Sequence, residues 1–223
     1  MNAQEFVQAL FDASDPGYAD FSKALSNSDY VHIGVRFPAL KKLVKAHYSD
    51  PELRIEEFEL GHYIEVDLSY FCIALSRCKD REEQHAFLLE NIKYAKSWMV
   101  TDTIPPYMKR PTFEAFLPFF LRCYRSKAVY QRRLAFVYAM KFRKDARVLE
   151  LFQYLPEGDE YMVMMGEAWF LATVAITFPE EVFAWIAKTH DSALREKTIS
   201  KIVESYRIDD GMKARFKSLR VFD

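Results

Sequence analysis

Leu68-Ser69-Tyr70-Phe71-Cys72-Ile73-Ala74-Leu75 is the stretch that decides the fold class. Leu68, Phe71, Cys72 and Leu75 fall at i, i+3, i+4 and i+7, which gathers them on one side of an α-helix but scatters them over both faces of a strand. The spacing recurs outward from there, at Leu40, Leu43 and Val44, at Leu134, Val137, Tyr138 and Met140, and at Ile199, Ile202, Val203 and Tyr206. Turn-forming residues separate these stripes: Asp15-Pro16-Gly17, Gly34, Ser49-Asp50-Pro51, Gly61, Pro105-Pro106, Pro111, Pro156 to Gly158, Pro179 and Asp209 to Gly211. The resulting elements run about 10 to 18 residues, with connections of about 2 to 6. Pro38 suits a first helical turn, Asp50-Pro51-Glu52 reads as an N-cap and first helical position, and Asp191 or Ser192 precedes a run ending near Tyr206.

Composition agrees. With 6 Gly and 9 Pro in 223 residues, the chain has too few turn-formers for a sandwich or barrel of many short strands, and 50% hydrophobic residues exclude intrinsic disorder. The fold class is all-α. Roughly a dozen helices pair into units of about 35 to 40 residues, the period of HEAT-like repeats. Residues 1–223 are therefore expected to form a single HEAT-like repeat domain, an α-α superhelix of about six antiparallel helix pairs with a concave binding face. An irregular helical bundle is the competing architecture.

Cys72, Cys78 and Cys123 include no CxxC pair, so neither a disulfide framework nor a zinc site is expected, and no metal or cofactor is called for. The N-terminus lacks the basic and apolar regions of a signal peptide. Met162 to Phe178 comes nearest to a membrane span and is interrupted by Glu167. A cytoplasmic, soluble monomer is expected.

The 31 Lys and Arg and 32 Asp and Glu nearly cancel, but they are segregated. Lys109 to Glu150 holds eleven basic residues against three acids, and Arg195 to Arg220 holds eight against four. Glu52 to Asp67 holds six acids and one base, and Glu157 to Glu181 six acids and none. In a repeat array the basic segments can align into a track for a polyanion, with acids on the convex side. Ordinary solvated helix surface would have the same composition.

No Ser-His-Asp set, phosphate-binding Gly loop or metal motif is present. The five histidines are scattered, which suits surface or hydrogen-bonded core positions. What remains is Trp98 and Asp102, four apart on one helical face, with Arg133 on a later basic helix and Trp169 on the helix through Glu167. A carboxylate among flat aromatic side chains suits cleavage of an N-glycosidic bond, in which positive charge builds on the sugar. A base already cationic through alkylation leaves without a general acid. Core packing for the two tryptophans, and a helix-end role for Asp102 ahead of Pro105-Pro106, are the plainer alternatives.

These pieces resemble the DNA alkylation repair proteins of the AlkD type, helical-repeat DNA glycosylases. The matching segments are Gly34-Val35-Arg36-Phe37-Pro38 with Leu40-Lys41-Lys42-Leu43, then Ser97-Trp98 with Asp102, then Arg133 opening its helix. Tyr161 to Met165, Ala168 to Thr173, and Lys197 to Arg207 complete the series over about residues 20 to 220. The resemblance implies a superhelix holding duplex DNA and excising N3- or N7-alkylated purines without turning the base into a pocket. It assigns Asp102, Trp98 and Trp169 to catalysis and Arg133, with its neighbour Arg132, to the DNA backbone; Lys141 and Arg36 are further candidate DNA-binding residues. Around Trp169, where family members with glycosylase activity carry bases, this chain has Met164, Met165, Glu167, Ala172 and Thr173.

Overall fold

The computed structural model describes residues 1–26, 28–155 and 160–220. Among them lie twelve α-helices: α1 (Ala3–Asp12), α2 (Pro16–Ser26), α3 (Phe37–His47), α4 (Ile64–Arg77), α5 (Arg81–Asn91), α6 (Trp98–Thr103), α7 (Phe113–Tyr124), α8 (Val129–Ala139), α9 (Tyr161–Val174), α10 (Pro179–Lys188), α11 (Ser192–Glu204) and α12 (Asp210–Lys217). Short 3-10 helices fill several connections, and the described residues contain two isolated bridges but no strand. The chain is all-helical, as its periodicity predicts, with neighbouring helices packed on one another. It divides into two compact units, Met1–Arg110 and Pro111–Asp223.

In the first unit α4 is the centre. Ile64 to Ser69 and Phe71 to Leu75 are all buried, so the helix is covered nearly all round, by α3 and α6 among others. This is why its stripe extends to Ile73 and Ala74. In the second unit α7 packs on α8, α8 on α9, α9 on α11 and α11 on α12. An aromatic cluster of Phe113, Phe116, Phe120, Phe136, Tyr138 and Phe142 fills the α7–α8 interface.

Caps delimit the helices as local chemistry demands. Asn2 and Glu5 form a reciprocal capping box on α1, while Asp80, Thr112, Asp191 and Asp209 accept first-turn amides of α5, α7, α11 and α12. Asp50-Pro51-Glu52, however, starts no helix. Asp50 does accept the Glu52 amide at 3.0 Å, but the Arg77 guanidinium takes the carbonyls of Tyr48, Asp50 and Leu53, and the chain turns out to an extended Arg54. Likewise Tyr206 does not continue the α11 stripe. The helix ends at Glu204 and Tyr206 is fully exposed. The turn expected at Pro156 to Gly158 lies outside the described residues.

Two acids expected on an outer face are interior. Glu65 accepts the backbone amides of Ile33, Gly34 and Val35 at 2.9, 2.8 and 3.2 Å, and Asp67 accepts the Tyr30 hydroxyl and the Gly61 amide. Burial of Glu65 is tolerable because its three amide bonds are charge-assisted. Gly34 makes the loop possible: its φ is +93°, its carbonyl accepts the Asp15 amide, and a Cβ there would meet the Asp15 carbonyl oxygen at 2.3 Å and Ala19 Cβ at 2.9 Å.

Gly34→Ala is therefore expected to cost about 3 kcal/mol, combining a left-handed backbone with a hard clash. Gly17→Ala, where a Cβ meets only the Asp15 carboxylate at 3.5 Å, should cost nothing measurable. Urea midpoints of the two variants against wild type check the contrast.

Candidate functional site

α6 is only six residues long. It begins at Ser97, whose buried hydroxyl accepts the Met99 amide at 3.2 Å, and it stops where Pro105 removes the next amide donor. Trp98 and Asp102, one turn apart, both line a cavity of about 190 Å³ in the first unit. Tyr18 and Ser22 of α2, His32, Phe37 and Leu40 of α3, and Glu65 and Leu68 of α4 complete most of its wall. The pairing of an aromatic and a carboxylate inferred from the four-residue spacing is thus present at one cavity.

Each wall group is held in place. The Trp98 indole Nε1 donates to the Leu25 carbonyl at 3.3 Å, near the end of α2, where carbonyls lack helical partners. Thr101 places its hydroxyl 3.3 Å from Asp102 Oδ1. His32 contacts Ser22 Oγ through Nδ1 at 2.8 Å and Ser26 Oγ through Nε2 at 3.1 Å, and burial lowers its pKa. It is a hydrogen-bonded core histidine. Glu65, the other carboxylate at this cavity, has both oxygens committed to the 33–35 amides.

The remaining expected residues have varied settings. Arg36 lies beside the same loop, donating from Nε and Nη2 to Asp15 Oδ2 at 3.1 and 2.8 Å and stacking over the Tyr18 ring. The Arg36 guanidinium, together with the Tyr18 amide, holds the Asp15 carboxyl below the usual carboxylate range. In the second unit, Arg133 is the fifth residue of α8 rather than its opening, and it is buried, with Nη1 donating to the Met162 carbonyl at 2.7 Å. Gly166 of α9 admits it: a Cβ there would lie 3.2 Å from Arg133 Cγ. Arg132 is half-buried beside it, and Lys141 sits over the Tyr138 ring at 5.7 Å. Trp169 projects from α9 with 38% of its surface exposed. Glu167, two residues before it, is buried and adds no negative surface there. Arg147 of the basic segment is neutralised by Asp145 at 2.6 Å and by Glu114.

A model of the DNA alkylation repair enzyme family matches residues 6–202, most of the chain and all the candidate residues. The chain belongs to that family. No curated protein matches it. Family membership gives the chain a role in the repair of alkylated DNA. No helix among the described residues is long and apolar enough to cross a membrane, and none of their His, Cys, Asp and Glu side chains gather into a group of three that could hold a metal ion.

Tyr18, Ser22 and His32 were missed in the sequence. Their signal is faint: Tyr18, Ser22 and Ser26 recur every fourth residue along α2, a stripe too polar to read as a core face.

Because Arg133 is a buried tie between α8 and α9, Arg133→Ala should lower stability by about 1.5–3 kcal/mol, the loss of a hydrogen bond from a charged donor. Lys141→Ala should stay within about 1 kcal/mol of wild type. Denaturant unfolding of the two variants separates the tie from the surface cation.

Proposed function

We propose that the protein is a monofunctional DNA glycosylase that excises N3- or N7-alkylated, cationic purines from duplex DNA. The observation that carries this reading is the meeting of Trp98 and Asp102 at one aromatic-lined cavity, in a chain of the alkylation repair family.

The chemistry follows from charge. As the C1′–N bond breaks, both electrons go to the cationic base and neutralise it, while positive charge appears on the sugar ring. Asp102 stabilises that charge and orients the water that then attacks C1′, the water's proton passing to the Asp102 carboxylate and on to solvent. No general acid is needed, because the leaving base is already charged. Trp98, its ring fixed by the Leu25 carbonyl, packs against the sugar, and in the second unit Trp169 offers an exposed indole for DNA. Arg36, Arg132 and Lys141 take backbone phosphates. Buried Arg133 ties α8 to α9 beside Arg132.

A non-catalytic scaffold that binds nucleic acid or a protein partner is the second reading. It is favoured by the internal engagement of Arg36, Arg133 and Arg147 by protein acceptors, which leaves fewer cations for phosphate.

Purified protein should release 3-methyladenine or 7-methylguanine from methylated duplex well above the spontaneous rate. Asp102→Asn should slow release at least about 100-fold with little change in affinity, whereas Lys141→Ala should weaken binding uniformly and reduce the salt slope by about 1. Binding without release in the wild-type protein would sink the glycosylase reading in favour of the scaffold.

A further inference from the structure

Tyr30 is buried, and its hydroxyl sits among three polar groups. Asp67 Oδ2 is within hydrogen-bond reach, the Tyr94 carbonyl lies at 3.0 Å, and the Lys96 amide nitrogen at 3.3 Å. A phenol has one proton and two acceptor lone pairs. The Lys96 N–H donates to the phenol oxygen, so the single phenol proton must choose between Asp67 and the Tyr94 carbonyl. Both contacts are satisfied together only when Asp67 carries a proton of its own. Asp67 then donates to Tyr30, and Tyr30 donates to Tyr94.

The surroundings of Asp67 suit that state. Its side chain is fully buried in α4, and Oδ1 accepts the Gly61 amide at 2.9 Å. The groups that favour its ionised form are the Tyr30 hydroxyl, the Gly61 amide and the more distant Lys96 ammonium; burial outweighs them and raises the carboxyl to about 6. His62, beside Gly61, is exposed, and Glu65, two residues earlier on α4, is committed to the 33–35 amides. Tyr94 and Lys96 are the residues through which the chain reaches Ser97, the cap of α6.

We propose that Tyr30 and Asp67 form a proton-dependent latch that positions α6, and with it Trp98 and Asp102. When Asp67 is protonated, Tyr30 holds the Tyr94 carbonyl and the segment leading into α6 is tied to α4. When Asp67 ionises, Tyr30 turns its proton to the carboxylate and the Tyr94 carbonyl loses that bond. Tyr30 and Asp67 are positioning residues, acting through α6. The sign is that of a carboxyl raised in the folded state: the stabilisation is complete below the unfolded value of 3.8 and is lost as pH rises through about 6. The consequence for catalysis rests on the glycosylase reading, but the latch itself does not.

The test is the Trp98 indole N–H resonance in DNA-free protein, followed from pH 5 to 7.5. Wild type should titrate with a midpoint near 6. Asp67→Asn, whose amide donates to Tyr30 permanently, should remove the titration and hold the resonance at its low-pH position even at pH 7.5. Asp102→Asn should titrate as wild type does. A resonance that does not move, or one that titrates identically in Asp67→Asn and so follows another group, overturns the proposal. Carboxyl carbon shifts of Asp67 give the same decision without a variant: a midpoint near 6 supports the latch, and full ionisation by pH 5 contradicts it. Single-turnover base release across the same range should show a step near 6 that Asp67→Asn abolishes. If wild type releases no base at all, the glycosylase reading fails while the resonance still decides the latch.

Discussion

The first unit depends on a buried carboxylate. Glu65 sits on a helix covered on nearly every side, and it is kept there by three amides of Ile33, Gly34 and Val35 that have no strand or helix to satisfy them. Each party would be costly to bury alone; together they are complementary. The loop so held begins α3 at Phe37, brings His32 against Ser22 and Ser26 of α2, and supports the Arg36–Asp15 pair. Remove the carboxylate and three backbone donors are stranded at the wall of the cavity that contains Trp98 and Asp102.

Much of this was legible. The stripe Leu68, Phe71, Cys72 and Leu75 reports a helix because sheet geometry cannot gather those four, and all four are buried in α4. Trp98 and Asp102 reach one cavity because a single helical turn relates them. The rest required coordinates, for identifiable reasons. Glu65 and Asp67 read as surface acids, since burial of a carboxylate is decided by donors some thirty residues away in sequence. Asp50 did accept an amide two residues on, as a cap would, but Arg77 of α4 captured the carbonyls that a helix needed. The Gly34 turn is local in sequence, yet its necessity comes from the Asp15 carbonyl pressed against it.

The Lys109 to Glu150 segment is basic in composition, but Arg133 points into the interior and Arg147 is paired with two acids. Conversely Glu167, two residues before Trp169, is buried and does not oppose a polyanion at that surface. Linear counts do not show which charges are turned inward or paired with one another.

The central claim is that alkylated DNA is handled at the α6 cavity. It is tested most directly by hydrogen–deuterium exchange on protein bound to a duplex carrying one 7-methylguanine on a 2′-fluorinated sugar, which resists cleavage, compared with the unmodified duplex. The account predicts extra protection, specific to the lesion, at residues 98–103 and in the 32–37 loop. Equal exchange there with both duplexes, with lesion-specific protection confined to other segments, would contradict it.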